Sequence, residues 1–287
     1  MTGAAGTVVT ARGLIAQRGG DLPCRRSTPP TSALPGGFAI RKRGQGQVTA
    51  DSRLYTAGDD MRYVDRGATA RSGQLHVRTF HEERDRVVFL VADFRPAMLW
   101  GMRRAFRSVA AAEALTRLGW QVVASGGRVG LLAICAGAPV IVGTRGGTRG
   151  MLAVIGGLVR AHAAALQGAA LTDPPLDAAL SGLRLVAPRG AVLVIASALD
   201  NPGEGFEAAI GRLAQHHRPR FLLVGDHALQ ELPAGTYPIQ GPDGQRRVAR
   251  LRQTAVSGDS GLAVAGHAVW RLDAGVPTAD ALAGLEV

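Results

Sequence analysis

The sequence predicts an α/β protein built on a mostly parallel sheet with helices on both faces. Continuous apolar runs of strand length recur along the chain, as strands buried on both faces require. Stretches with apolar residues at three- and four-residue spacing, the period of a helix, separate them. Strict alternation of the two is the pattern of a doubly wound, Rossmann-like sheet.

Taken in order, residues 1–36 are rich in Gly, Pro, Thr and Arg and are expected to form a flexible arm, with helical patterning only over 10–18. Residues 37–86 turn polar and basic, and alternating pieces such as LHVRTF at 75–80 suit half-buried strands of an accessory segment. The run VVFLVA at 87–92, ending in Asp93, reads as the first central strand. A helix is predicted over 102–118 from the spacing of Phe106, Val109, Ala110, Ala114, Leu115 and Leu118. VGLLAIC from 129 is a second strand, PVIVG from 139 is expected to pair with it as a hairpin, and a helix over 151–166 is expected to be capped by Thr148. A short helix over 176–185, a strand from 191, a helix over 205–216 and a strand from 221 complete the alternation. The main domain is expected to span 87–250, followed by an extension over 251–287. Sites in such sheets form beyond the carboxyl ends of the strands, which directs attention to 93–97, 172–175 and 197–201.

Composition excludes several classes. With 46% hydrophobic and 19% charged residues among 287, the chain is not disordered, and its 39 glycines follow no collagen period. The longest run without a charge, 129–144, is 16 residues, short of the roughly 20 that a membrane span needs. The first fifteen residues lack a basic start followed by an apolar block, so a cytoplasmic location without a membrane partner is expected. Lys and Arg total 33 against 22 Asp and Glu, a net +11, divided as 14 against 8 over 1–86 and 19 against 14 over 87–287. Charge spread in this way favours an acidic protein partner or plain solubility over nucleic acid, whose binders concentrate charge on one face.

Cys24 and Cys135 lack metal-ligand spacing, and the seven histidines give none. His216 and His217 end a helix, where a cation suits the dipole, while His76 and His81 fall on opposite faces of an extended segment. No GxSxG occurs. Asp59 and Asp60, adjacent carboxylates in a Gly-Asp-Asp turn, are expected to cap a helix and pair with Arg62 or Arg71 rather than act as an acid pair. TRGGTRG at 144–150 opens a helix with glycine N–H groups suited to an anion, but it lacks the Gly-Lys-Ser/Thr of a nucleotide loop and is expected to be an exposed loop.

Several of these motifs together resemble a known family. LYTAGDDMRYVD at 54–65 (with Tyr55, Gly58, Asp59, Asp60, Arg62 and Asp65), ATAR at 68–71 (ending in Arg71) and HVRTFHEERDRVVFLVAD at 76–93 resemble the bacterial domain-of-unknown-function family 58. So do a Met98/Gly101 step, GGRVGLLAI at 126–134 and QELPAGTYPI at 230–239, and the resemblance runs over about 36–248. It implies a von Willebrand factor A-like domain that acts with a MoxR-type AAA+ ATPase. It also implies Mg²⁺ held by Asp-x-Ser-x-Ser after the first strand, a Thr in a second loop and an Asp in a third. Here Asp93 is kept, but Arg95 and Ala97 replace the serines, Pro174 stands at the Thr position near Thr172, and Ser197 stands at the Asp position with Asp200 trailing. Asp65-Arg66 stands where the family has Asp-Trp. A degenerate metal site without cofactor is expected, with the Arg95 guanidinium beside Asp93 as countercharge. The implied function is that of a non-enzymatic adaptor between the ATPase and a target protein. Its partner-binding edge would carry Asp93, Arg95, Trp100, Asp200, Arg145 and Arg149, with Arg95 presented to an acidic group. The alternatives are a metal-dependent hydrolase or phosphate-binding enzyme using Asp93, Asp59 and Asp60, and weak nucleic-acid binding by the arm.

Overall fold

The computed structural model describes residues 6–18, 49–57, 59–80, 86–168, 172–229, 231–240, 245–251 and 263–282. The chain forms two compact units, one of residues 26–85 and one of 1–25 with 86–287. After the helix α1 (Ala11–Ala16) of the larger unit come the elements of the smaller one, β1 (Thr49–Leu54), α2 (Arg66–Ser72) and β2 (His76–Phe80). β1 and β2 pair antiparallel. Asp65 starts α2 by accepting the N–H groups of Gly67 and Ala68, both at 3.0 Å, and Gly73 ends it at φ 70°.

The larger unit continues with β3 (Val87–Asp93), α3 (Arg107–Ala124), β4 (Arg128–Ile134), β5 (Val140–Gly146) and α4 (Gly147–Gln167). Then follow α5 (Leu176–Ser181), α6 (Leu183–Val186), β6 (Val192–Ser197), α7 (Phe206–Ala214) and β7 (Arg218–Gly225). The chain closes with the hairpin β8 (Gly235–Gln240) and β9 (Arg246–Leu251), then β10 (Ala263–Val264), β11 (His267–Asp273) and α8 (Thr278–Ala281). The main sheet has the order β10-β11-β7-β6-β3-β4-β5. The five inner strands are parallel, while β5 and β10 run antiparallel at the edges.

β3 lies between layers, and its alternating side chains explain why it is apolar up to Asp93. Val88, Leu90 and Ala92 pack with α1, α3 and α4 on one face, and Phe89 and Val91 pack with Leu176, Leu180 and Ile210 on the other. From β3 the chain moves to β4 on one side and later returns through β6 on the other. That reversal opens a crevice at the carboxyl ends of β3 and β6.

The α/β class with its mostly parallel sheet is as expected, and so is the β4–β5 hairpin. Several boundaries differ. α3 begins at Arg107, because residues 102–106 form a loop held by the Met102 N–H on Asp226 at 2.6 Å. Gly101 is required there, since a Cβ would lie 2.1 Å from the Ala105 carbonyl oxygen. α4 begins at Gly147, which turns at φ 65°, so Thr148 sits inside the first turn instead of capping it. Gly182 divides the expected 176–185 helix into α5 and α6. Residues 251–287 are not an appendage, because β11 lies inside the main sheet. Nor is all of 1–36 an arm: Val9 and Leu14 are core residues beside α3 and α4. α4, at 21 residues, is long and apolar enough to cross a membrane by length and composition, yet Met151, Val154, Ile155, Leu158 and Ala161 are buried in the core of this unit.

His162 of α4 fastens the start of the chain. Its Nδ1 accepts the Val9 N–H at 3.5 Å, so Nε2 carries the proton that meets Ser108 Oγ at 3.0 Å. The ring also stands edge-on to Phe94 at 5.2 Å. Burial lowers its pKa from 6.5 to about 4. The unfolded chain therefore takes up this proton first as the solution is acidified. Stability is intact above pH 6.5 and falls toward pH 4, by up to about 3 kcal/mol. Urea unfolding of wild type and His162→Phe at several pH values should show this slope in wild type and a flatter one in the variant. Gly101→Ala is expected to cost about 1–3 kcal/mol in the same assay by overpacking. Gly211→Ala, in α7 with open space around it, is expected to stabilise by about 0.5–1 kcal/mol.

Candidate functional site

The site grows from the end of β3. Phe94 is fixed by its N–H on the Ile134 carbonyl at 2.7 Å. The backbone then turns into a 3-10 segment, Pro96–Met98, and the Arg95 side chain folds back on Asp93. Nε donates to Asp93 Oδ1 at 2.9 Å and Nη2 to Oδ2 at 2.8 Å, a two-pronged pair, and the Arg95 backbone N–H adds a third bond to Oδ1 at 3.0 Å. Ser197, last residue of β6, donates its hydroxyl to Asp93 Oδ2 at 2.6 Å. The remaining prong, Nη1, donates to the carbonyls of Pro174 and Asn201, the latter at 2.9 Å, and lies 3.6 Å from Asp173 Oδ2. Asp173 Oδ1 accepts the Ala97 N–H at 3.1 Å, and Asn201 Nδ2 donates to the Asp173 carbonyl at 2.7 Å. One guanidinium thus ties together the loops after β3, before α5 and after β6.

Burial and charge oppose each other here. Burial works against the Arg95 cation, but the bonded Asp93 carboxylate more than offsets it and the guanidinium pKa is raised. Burial pushes Asp173 above its ordinary carboxylate value despite the Ala97 N–H and Arg95 beside it. Above this layer Arg107 donates to Asp200 Oδ2 and to the Ala97 carbonyl, both at 2.6 Å, with its guanidinium 4.3 Å from the Trp100 ring centre. Leu199 takes φ 56° between them, its N–H on Ser197 Oγ at 3.1 Å. An αL conformation at a branched leucine is uncommon and costs free energy unless the surroundings hold it.

The Mg²⁺ implied by the resemblance does not fit these residues. It would need near-octahedral oxygen ligands, whereas both Asp93 oxygens and the carbonyls of Pro174 and Asn201 already accept from Arg95. Among the described residues no group of three or more His, Cys, Asp or Glu side chains is placed to hold a metal.

Asp93, Arg95 and Ser197 meet as side chains, Pro174 joins through its carbonyl and Ala97 through its N–H. Asp173 and Asn201 lie in the stretches 172–175 and 197–201 to which the fold directs attention but were assigned no role, and Arg107 was not anticipated; Asn201 acts in part through its backbone, which no side-chain pattern announces. Two expectations need correction. Asp93 and Arg95 are each 1% exposed, so neither is presented to a partner, and only half-buried Trp100 and exposed Asp200 remain at the rim. Arg145 and Arg149 are not on this edge either. β5 runs antiparallel, so Arg145 lies opposite Val129 at the start of β4, while Asp93 lies beside Ile134 at its end.

In the smaller unit Asp59 binds Arg53 at 2.6 Å and the Thr56 N–H at 2.9 Å, rather than Arg62 or Arg71. Asp60 caps the 3-10 turn Met61–Tyr63 as expected, and Arg62 Nε lies 3.9 Å from its carboxylate. Asp65 also faces Arg78 at 3.7 Å, Arg62 and Arg71 are exposed, and the Tyr55 N–H binds the Leu75 carbonyl. Cys24, Gly58 and His81 lie outside the described residues. Cys135, half-buried just after β4, has its thiol pushed up to about 11 by burial, which disfavours the thiolate.

Arg95→Ala is expected to cost about 3–5 kcal/mol, because it strands the buried Asp93 charge. It should also free an oxygen cage, so that Mg²⁺ raises the thermal midpoint of the variant and leaves wild type unchanged. Equal Mg²⁺ responses in the two proteins would contradict a site filled by Arg95.

The chain matches the family model described as "Protein of unknown function DUF58" over residues 51–256. It is 37% identical over 78 residues to the uncharacterized protein Rv1480 of Mycobacterium tuberculosis (strain ATCC 25618 / H37Rv), a span of 26% of this chain and 25% of the relative. The same figures hold for the uncharacterized protein Mb1516 of Mycobacterium bovis (strain ATCC BAA-935 / AF2122/97). The chain thus spans about a quarter of the length of the curated relatives it matches. With the family model covering well over half of its length, the chain belongs to the DUF58 family.

Proposed function

We propose that this protein is a non-enzymatic, cytoplasmic interaction module with a von Willebrand factor A-like architecture. It would act with a MoxR-type AAA+ ATPase as an adaptor that brings a target protein to remodelling. The observation that carries the reading is Arg95. It supplies a permanent cation where the strand order reverses, so the crevice keeps its shape without a metal ion.

The same bonds weigh against hydrolysis. Asp93 is saturated by Arg95 and Ser197, Asp59 is held by Arg53, and Asp60 is spent on a cap. These bonds favour a structural use of the three carboxylates over use as a base or metal ligand. What the crevice rim offers instead is Trp100 stacked on Arg107, the exposed Asp200 carboxylate, and a cleft of about 290 Å³ lined by Phe94, Pro96, Leu99 and Cys135. Tryptophan and arginine beside an apolar cleft are the residue types that dominate binding energy in protein interfaces.

Co-purification with a MoxR-type ATPase encoded in the same genome tests the reading. Trp100→Ala should weaken that association by about 2 kcal/mol, roughly thirtyfold, with the thermal midpoint nearly unchanged. Undiminished association of Trp100→Ala, or none by wild type, would refute it.

A further inference from the structure

Two sets of arginines of the larger unit lie at opposite ends of the main sheet. At the carboxyl end Arg95, Arg103, Arg104 and Arg107 all pair with carboxylates. At the amino end the register aligns a different set. Arg128 opens β4 beside Val87, immediately after Arg86, and Arg145 lies opposite Val129 on β5. Arg218 opens β7 beside Val192, and Arg189 precedes β6. Strands lie about 4.8 Å apart, so from β5 to β7 this row runs about 19 Å. Arg149, in the first turn of α4, extends it. All six are exposed. Among the described residues no carboxylate pairs with Arg86, Arg145, Arg149, Arg189 or Arg218.

Two leucines stand among these arginines. Leu185 is 85% exposed in α6, next to exposed Arg184 and four residues before Arg189. Leu152 is 44% exposed one turn beyond Arg149. No aromatic residue occurs in 144–152 or 184–191. Single-stranded nucleic acids call for aromatic stacking platforms beside the basic groove, whereas a lipid surface takes arginines at its anionic headgroups and leucines just beneath them.

The geometry points to the amino end of the sheet as a docking face for an anionic membrane surface, a partner that goes beyond the adaptor reading and revises the expectation of none. The chain adsorbs there through the arginine row, with Leu185 and Leu152 entering the headgroup boundary. The opposite, carboxyl end faces away from the lipid.

Vesicle co-sedimentation with the full chain tests this. Vesicles with about one-third anionic phosphatidylglycerol should bind at least about tenfold tighter than pure phosphatidylcholine, and high salt should abolish the difference. Arg145→Glu/Arg149→Glu and Arg189→Glu/Arg218→Glu should each lower binding by about tenfold or more. Arg246→Glu/Arg250→Glu on β9, an equal change in net charge elsewhere, should lower it far less, and Leu185→Ser should weaken the salt-resistant part. Thermal midpoints of all variants verify folding. Equal binding to neutral vesicles, or an equal loss in the β9 control, would overturn the proposal. Release from vesicles by duplex DNA that itself binds through the same arginines would reassign the face to nucleic acid.

Discussion

The two-pronged bond between Arg95 and Asp93 is the constraint on which the crevice depends. A carboxylate at the end of the central strand, 1% exposed, is tolerable only with a full set of donors, since an unpaired buried charge is among the costliest features a fold can carry. Arg95 meets this need and, with its third nitrogen, binds carbonyls from two other loops. A lysine would supply the charge but not three separated prongs in one plane. Ser197 bonds the carboxylate of this pair, Asp173 and the Asn201 carbonyl face its guanidinium, and Arg107 with Trp100 joins the same loops through Ala97 and Asp200.

Much of this was legible in the residues, and the part that was not has physical reasons. The VVFLVA, VGLLAIC and AVLVIAS runs read correctly as buried strands because burial on both faces leaves no room for polar residues. The pairing of Arg95 with Asp93 was expected from the resemblance, which puts Arg95 where a metal-binding serine would stand beside Asp93. The exposure of that pair was not legible, because it depends on lids from residues 173–174 and 201, distant in sequence. TRGGTRG, which is the end of β5 and the first turn of α4 rather than the expected loop, was misplaced for a different reason. The expected β4–β5 hairpin returns the chain to the start of β4, so Arg145 lies at the end of the sheet opposite Asp93, whereas the site was sought at the carboxyl ends of the strands. β11 was missed because His267, Arg271 and Asp273 interrupt the continuous apolar run that marks a buried strand, although it pairs with β7 inside the sheet. At 10–18 the helix itself was legible, but its role as core was not, since a single turn and a half gives little apolar surface until Leu14 meets α3 and α4.

The same topology sorts charge. Parallel strands all place their first residues at one end of the sheet and their last at the other, so a sequence with dispersed arginines becomes a polarised fold. Arg95, Arg103, Arg104 and Arg107 near strand ends pair with carboxylates, and Arg86, Arg145, Arg149, Arg189 and Arg218 near strand starts are exposed to solvent. A net charge of +11 that looks evenly distributed along the chain is therefore uneven in space, with an ion-paired crevice at one end and a basic face at the other.

The most direct measurement is a double-mutant cycle in denaturant unfolding on Asp93→Ala, Arg95→Ala and the double variant. If the guanidinium holds the crevice through Asp93, the two losses will fall short of adding, with a coupling of about 2–3 kcal/mol. Additivity to within about 0.5 kcal/mol would mean that the two residues stabilise the fold independently, and that the three loops are held together by something other than this pair.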